Sequence, residues 1–213
     1  MMQLYDIHSH GIENMASAII NIGTDACLLR NDGFFSAGIH PWNVNSDSLE
    51  QDLQRLGIML ENPRAVAVGE CGMDSLKGPE LGIQEHAFVA QALLAEEKGL
   101  PMILHVVKQI DSIIRIRKDI RPSHPWLIHG FRGGPQQMRQ LLDTGFWLSF
   151  GIQANSASLA AVPDDRLVLE TDGKCSIGSV WEKVASVRNT TVEDVKRISM
   201  KAAIDFLGGC LPL

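Results

Sequence analysis

The sequence predicts an α/β fold, a (β/α)8 TIM barrel somewhat reduced in size, with shortened first, second and seventh connections. Eight short apolar runs recur along the chain, and most are separated by stretches with helical spacing and recognisable helix ends. Side chains of metal-ligand type fall in or at the ends of five of these runs: His8 and His10, Glu70, His105, His129 and Asp172. Parallel strands closed into a barrel bring all their C-terminal ends to one rim, so residues far apart in sequence are gathered there.

The first run, Leu4-Tyr5-Asp6-Ile7-His8-Ser9-His10, reads as a strand that stops before Gly11. Side chains two apart on a strand share a face, so His8 and His10 can converge on one ion, with Asp6 on the same side. Residues 17–23 and 34–39 are the second and third runs, the latter ending Gly38-Ile39-His40 before Pro41. The links among these three are too short for full helices.

Asp47 is the expected N-cap of a helix reaching Leu60, and residues 65–70 are expected to form a fully buried fourth strand ending at Glu70. Residues 84–98 carry Phe88, Ala92, Leu93 and Ala95 at helical spacing and stop at Gly99 before Pro101. Strand 102–107, helix 109–118, strand 126–130, helix 136–142 and strand 146–150 continue the alternation. Only 156–162 is left for a helix before the eighth strand, 167–173. Residues 191–207 close the chain as an amphipathic helix capped by Thr190 or Thr191.

At 213 residues, 45% hydrophobic and 21% charged, the chain is expected to form one domain over 1–213 with a full core. Its four cysteines form no C-x-x-C pair, which excludes a zinc ribbon or a redox motif of that kind. The absence of a leader-like or membrane-spanning run gives a cytoplasmic expectation, with no membrane and no protein partner implied. A net charge of -6 argues against a generally basic nucleic-acid surface, so phosphate contacts must be local. Lys108, Arg132 and Lys174 follow rim ligands within three residues, and His40 closes the third strand; these four are the expected substrate contacts. Asp74 is expected to orient a loop or a ligand histidine rather than bind metal.

Four histidines and two carboxylates at one rim suffice for two divalent ions, which would prepare water as a nucleophile and polarise a phosphoryl or carbonyl oxygen. Asp172 and Glu70 are the expected catalytic carboxylates, Asp172 as proton acceptor. Imidazole-rich ligation favours Zn, Mn or Fe over Mg.

The local motifs resemble those of the TatD-like metal-dependent hydrolases, usually described as deoxyribonucleases, within the amidohydrolase-type barrels. They are Asp6-Ile7-His8-Ser9-His10, Gly38-Ile39-His40-Pro41, Gly69-Glu70-Cys71-Gly72-Met73-Asp74, Leu100-Pro101 with His105, His129-Gly130-Phe131-Arg132-Gly133, Leu148-Ser149-Phe150 and Leu169-Glu170-Thr171-Asp172. The resemblance implies that His8, His10 and Asp172 hold one metal, that His105 and His129 hold the other, and that Glu70 bridges them. It also implies Mg or Mn in support of activity, and DNA as substrate. The chain departs from the family pattern after Asp172, where Gly173-Lys174-Cys175 replaces a small residue, Pro and an aromatic. It departs again after His105, where Val107 stands in place of an Arg. The reading is a hydrolase of DNA phosphodiesters. The alternatives are another ester, lactone or amide substrate, or a non-catalytic metal-binding barrel that serves a partner.

Overall fold

The structure, a computed structural model, describes residues 4–10, 17–25 and 33–210. In chain order the described elements are β1 (Asp6–Ser9), β2 (Ala18–Asn21), β3 (Phe35–Ala37), a 3-10 turn (Pro41–Asn43), α1 (Leu49–Met59), β4 (Ala65–Asp74), α2 (Leu81–Lys98) and β5 (Met102–Val107). There follow α3 (Ile110–Ile120), β6 (Trp126–Ile128), α4 (Pro135–Asp143), β7 (Phe146–Phe150), α5 (Ser156–Ala161), β8 (Val168–Leu169), α6 (Ile177–Arg188) and α7 (Val192–Leu207). The strands pair in parallel in their sequence order. The backbone N–H of Asp172 donates to the carbonyl of His8 at 3.0 Å, drawing the eighth strand's end onto the first. This is the (β/α)8 barrel that the strand-helix alternation predicts.

Strand periodicity separates the two cores. Ile19, Ile103, Leu127, Trp147 and Val168 lie two residues before Asn21, His105, His129, Ser149 and Glu170, so each pair shares the inner face. Those five apolar residues cluster with Phe206 and Leu207 of α7, filling the barrel beneath the polar rim. The alternate residues Met102, Leu104, Trp126, Ile128, Phe146 and Leu148 pack outward against Phe88 and Ala92 of α2, Ile113 of α3 and Met138 and Leu141 of α4.

Several expectations need correction. The Asp47 cap is displaced: α1 starts at Leu49, and Ser48 spends its hydroxyl on Asp52 Oδ2 (2.7 Å) while Asp47 stays exposed. The fourth strand runs four residues past Glu70, because β5 continues to pair with it as far as Asp74. Residues 174–190, for which the sequence predicts no element, contain α6. Ser176 caps it by accepting from Ser179 N–H, Val180 and Val184 are buried one turn apart, and Asn189 ends it in the left-handed conformation. The seventh connection is short as expected, with the six-residue α5 and a 3-10 turn over Asp164–Arg166. The shortened first and second connections fall on 11–16 and 26–32, outside the described residues, as does Cys27; Cys71, Cys175 and Cys210 are free thiols. Among the described residues no helix is long and apolar enough to cross a membrane.

Candidate metal centre

Two register slips aim the first ligands. Between Asp6 and Ser9, β1 uses three steps against two on β2, and between Val68 and Cys71, β4 does the same against β5. Such bulges turn a side chain out of strict alternation. On β4 the extra step contains Glu70, and the flanking glycines make it affordable in space: a Cβ at Gly69 would strike the carbonyl of Ile103, and one at Gly72 that of His105. On β1 the slip corrects the expectation that Asp6 faces the histidines. Asp6 instead accepts from Thr171 N–H (3.0 Å) and Thr171 Oγ1 (2.6 Å), tying β1 to the end of β8. Burial raises the Asp6 carboxyl to about 7, against those hydrogen bonds.

Glu70 stands at the centre, buried, with five imidazoles around it. Its Oε2 lies 3.3 Å from His8 Nε2 and 3.4 Å from His10 Nε2. Its Oε1 lies 2.8 Å from His105 Nδ1, 2.8 Å from His129 Nε2 and 3.2 Å from His40 Nε2. Asp172 Oδ1 joins the first set, 3.7 Å from His8 Nε2 and 3.3 Å from His10 Nε2. The two carboxylate oxygens of Glu70 therefore face two separate groups of nitrogen donors. Three clusters have ligand atoms close enough to share an ion: His8, His10 and Asp172; His8, Glu70 and His129; His40, Glu70 and His105.

Electrostatics follows from this crowding. Burial opposes the charge on Glu70, but hydrogen bonds from His10, His105, His129 and His40 hold it far below the usual carboxylate range. Contacts to Asp172 and Glu70 raise His10 to about 9. His129 is raised well above an ordinary imidazole despite its burial, through Glu170 and Glu70. Asp172 is lowered in spite of burial by His10 and by an ion pair between its Oδ2 and Lys174.

The donor set suits divalent cations. Both ring nitrogens of His8 are buried without a hydrogen-bond partner, which is costly unless something else engages them. His105 lies between two carboxylates, with Nδ1 2.8 Å from Glu70 Oε1 and Nε2 3.1 Å from Asp74 Oδ2; the tautomer that donates from Nε2 to Asp74 is the one that would turn the Nδ1 lone pair toward an ion. His40 is set the other way. Its Nδ1 accepts the Trp42 N–H at 3.2 Å, so the proton of the neutral ring sits on Nε2, making that atom a donor.

A cavity of about 420 Å³ opens over these groups, lined by His10, Asn21, His40, Trp42, Glu70, Asp172 and Lys174 among others. A larger groove, about 1220 Å³, runs between α1 and α2 on the outside of the barrel and contains none of the converging ligands. Of the expected substrate contacts, His40 and Lys174 line the central cavity. Arg132 is exposed and lines an adjoining groove that also reaches Asp172 and Lys174. Lys108 is exposed and lines neither; its carbonyl accepts from Ser75 Oγ at 3.4 Å.

The model of the family described as TatD related DNase matches residues 19–208. The chain belongs to this family. Among its relatives in the TatD family, the 3'-5' ssDNA/RNA exonuclease TatD of Erwinia amylovora is 36% identical over 153 residues, covering 64% of this chain and 56% of that protein. The Escherichia coli K12 protein named Uncharacterized metal-dependent hydrolase YcfH is 30% identical over 193 residues, covering 80% of this chain and 72% of that one. The chain spans 56% and 62% of the length of two TatD exonucleases that it matches, from Erwinia amylovora and Cronobacter turicensis. The crystal structure of YJJV, a TatD homolog from Escherichia coli K12, superposes with a TM-score of 0.82 at 21% identity, covering 96% of this chain and 98% of that one; this establishes the shared fold.

Within this TatD-family barrel, two supporting residues escaped the sequence reading. Asn21, on β2, donates from Nδ2 to Glu70 Oε2 (3.3 Å) and accepts the Glu70 N–H at Oδ1 (3.1 Å), holding that residue by its side chain and its backbone. Glu170, buried one residue beyond β8, accepts from Ser149 Oγ (2.6 Å) and lies 3.6 Å from His129 Nδ1, where it steers that ring. The available signal was position: each stands two residues after an inward apolar residue, Ile19 or Val168.

Proposed function

We propose that the chain is a metal-dependent nuclease that hydrolyses phosphodiester bonds of DNA with two divalent ions, of Zn, Mn, Mg or Fe. The observation that carries this reading is the division of Glu70, with Oε2 facing His8 and His10 and Oε1 facing His105 and His129. In it, His8, His10 and Asp172 would hold one ion and His105 and His129 the other, with Glu70 shared between them. When bound, the ions supply a nucleophile by lowering the pKa of water and polarise the phosphoryl oxygen.

The chain's own residues do the rest. Asn21 fixes the Glu70 carboxylate so that both oxygens stay on their two sets of nitrogens. Asp74 and Glu170 hold the rings of His105 and His129. His40 donates from Nε2 to a phosphoryl oxygen. Lys174 exchanges its ion pair with Asp172 Oδ2 for a substrate phosphate, which leaves Oδ2 free to accept the proton of the attacking water. Arg132, beside Lys174 in the adjoining groove, takes a neighbouring phosphate.

The test is Asp172→Asn, which keeps the shape and one oxygen but removes the proton acceptor. Metal content should largely persist while turnover of single-stranded DNA falls by ~10²-fold or more. A wild type that ignores DNA but turns over a carboxyl ester, lactone or amide would replace the nuclease reading with the wider hydrolase one. Metal binding without any metal-dependent hydrolysis would leave the non-catalytic module.

A further inference from the structure

The cavity over the metal centre has one aromatic wall, and nothing in the hydrolytic scheme uses it. Trp42 sits in the 3-10 turn that follows His40, is 43% exposed, and lines the cavity with His40, Asn43 and Lys174. An indole whose N–H is held by a partner and whose body is partly open to water is the kind of side chain that binding surfaces use.

Its orientation is fixed from three sides. The indole Nε1–H donates to Asp74 Oδ2 at 2.6 Å, and Asp74 is itself buried. The ring meets His40 edge-on at a centroid distance of 4.7 Å and His105 at 5.4 Å. Lys77 places its ammonium 4.1 Å from the ring centroid, a cation-π contact. A side chain this constrained loses little rotamer freedom when a ligand stacks on it.

We propose that Trp42 is the stacking platform for an unpaired nucleobase of the nucleotide whose phosphate lies at the centre. This rests on the nuclease reading and adds to it a grip on the base. The phosphate-directed donor, His40 Nε2, belongs to the ring packed against the indole at a centroid distance of 4.7 Å, so platform and phosphate site stand side by side in one cavity of about 420 Å³. That volume is within the range of small-ligand pockets. Stacking on an indole face accepts every base, because every base has a π-face, and it needs the base out of a duplex. The platform therefore selects an unpaired end and is indifferent to sequence. It is also mechanically joined to the centre, because Asp74 receives both the indole N–H and His105 Nε2.

The test uses the Mg-loaded protein, reads intrinsic fluorescence in the wild type, and reads binding of both ligands to wild type and variants by isothermal titration calorimetry. Of the four tryptophans, Trp126 and Trp147 are buried and Trp181 packs edge-on against Tyr5 at 5.1 Å, so quenching by a ligand in the cavity reports on Trp42. Deoxyadenosine 5'-monophosphate should quench the emission; deoxyribose 5-phosphate, which lacks a base, should not. Trp42→Phe, which keeps a π-face, should bind the nucleotide nearly as wild type does. Trp42→Leu loses the same N–H to Asp74 as Trp42→Phe, so relative to Trp42→Phe it should bind the nucleotide roughly tenfold or more weakly, with the same metal content and the same affinity for deoxyribose 5-phosphate. Equal losses for both ligands in Trp42→Leu would make Trp42 only a support for Asp74 and overturn the proposal. So would a wild type that cleaves single-stranded DNA yet binds both ligands equally. A wild type that binds neither ligand and cleaves no phosphodiester overturns the nuclease reading along with the platform.

Discussion

Asp74→Asn probes the contact network that supports the centre without removing any ligand from it. The carboxylate is 3% exposed and receives Trp42 Nε1–H at 2.6 Å, Leu76 N–H at 2.7 Å and His105 Nε2 at 3.1 Å. Burial opposes its charge, but the Trp42, Leu76 and His105 contacts hold it below the usual aspartate range. An asparagine keeps one acceptor oxygen and turns an NH2 toward donors, so it loses at least one charge-assisted bond and leaves a buried N–H unpaired. Hydrogen bonds to charged groups contribute about 1.5–3 kcal/mol each, which puts the loss of folding stability at about 2–4 kcal/mol. For a chain of this size that lowers Tm by roughly 5–15 °C. With Nε2 no longer held, His105 is free to rotate or to change tautomer, and metal affinity should fall about 10–100-fold. Differential scanning calorimetry of the metal-free protein and competition with a chelating dye measure the two effects separately. A variant with wild-type Tm and wild-type metal affinity would refute the positioning role and the tautomer argument with it.

Glu70→Ala should lose both ions together in elemental analysis, from near two equivalents; retention of one full equivalent would argue against a bridge. DNA cleavage should fall steeply with salt, and Lys174→Met should lower the slope of log affinity against log salt by ~0.7, the value for one single-strand phosphate contact. Salt-independent cleavage, equal for DNA and small phosphodiesters, would point to a small-molecule substrate. Glu96 accepts the N–H groups of Ser123 (2.8 Å) and His124 (3.1 Å), and despite its burial these hold it below the glutamate value of 4.5. A depressed folded pKa contributes stability above the unfolded value that disappears as pH falls through the folded one. The stability gap between wild type and Glu96→Gln should therefore be full at pH 7 and shrink below pH 4.5; a gap independent of pH would contradict the assignment.

The parts of this barrel legible in the sequence are those set by short-range rules. The helix ending at Gly99 before Pro101 and the strand over Met102–Val107 follow from capping chemistry and an apolar run, and both appear where expected. The histidines are legible as a set because strand ends in a parallel barrel share a rim, whatever their spacing in sequence. What failed was decided by contacts elsewhere. The helix Ile177–Arg188 begins with a glycine at its second position and is rich in β-branched valines, so propensity argues against it; burial of Val180 and Val184 overrides that. Asp6 should face the histidines by alternation, but the register slip against β2 turns it to Thr171, a partner 165 residues away.

The same distance explains why the supporting shell was less visible than the ring of histidines. Asn21 and Glu70 are 49 residues apart, and an asparagine ending an apolar run reads equally well as the start of a turn. Glu170 sits two residues before Asp172 and two after Val168, so alternation places it on the inner face, yet a buried carboxylate there has no rationale until His129 and Ser149 are found beside it. Ligand identity is written in residue type, whereas ligand orientation is written in pairs that only the closed barrel brings together. In this barrel the aiming group comes from another strand: Asn21 of β2 holds Glu70 of β4, and Glu170, one residue beyond β8, reaches His129 after β6, whereas the inward residues two before His105 and His129 are the apolar Ile103 and Leu127. Glu170→Gln should therefore disturb His129 before it disturbs Asp172.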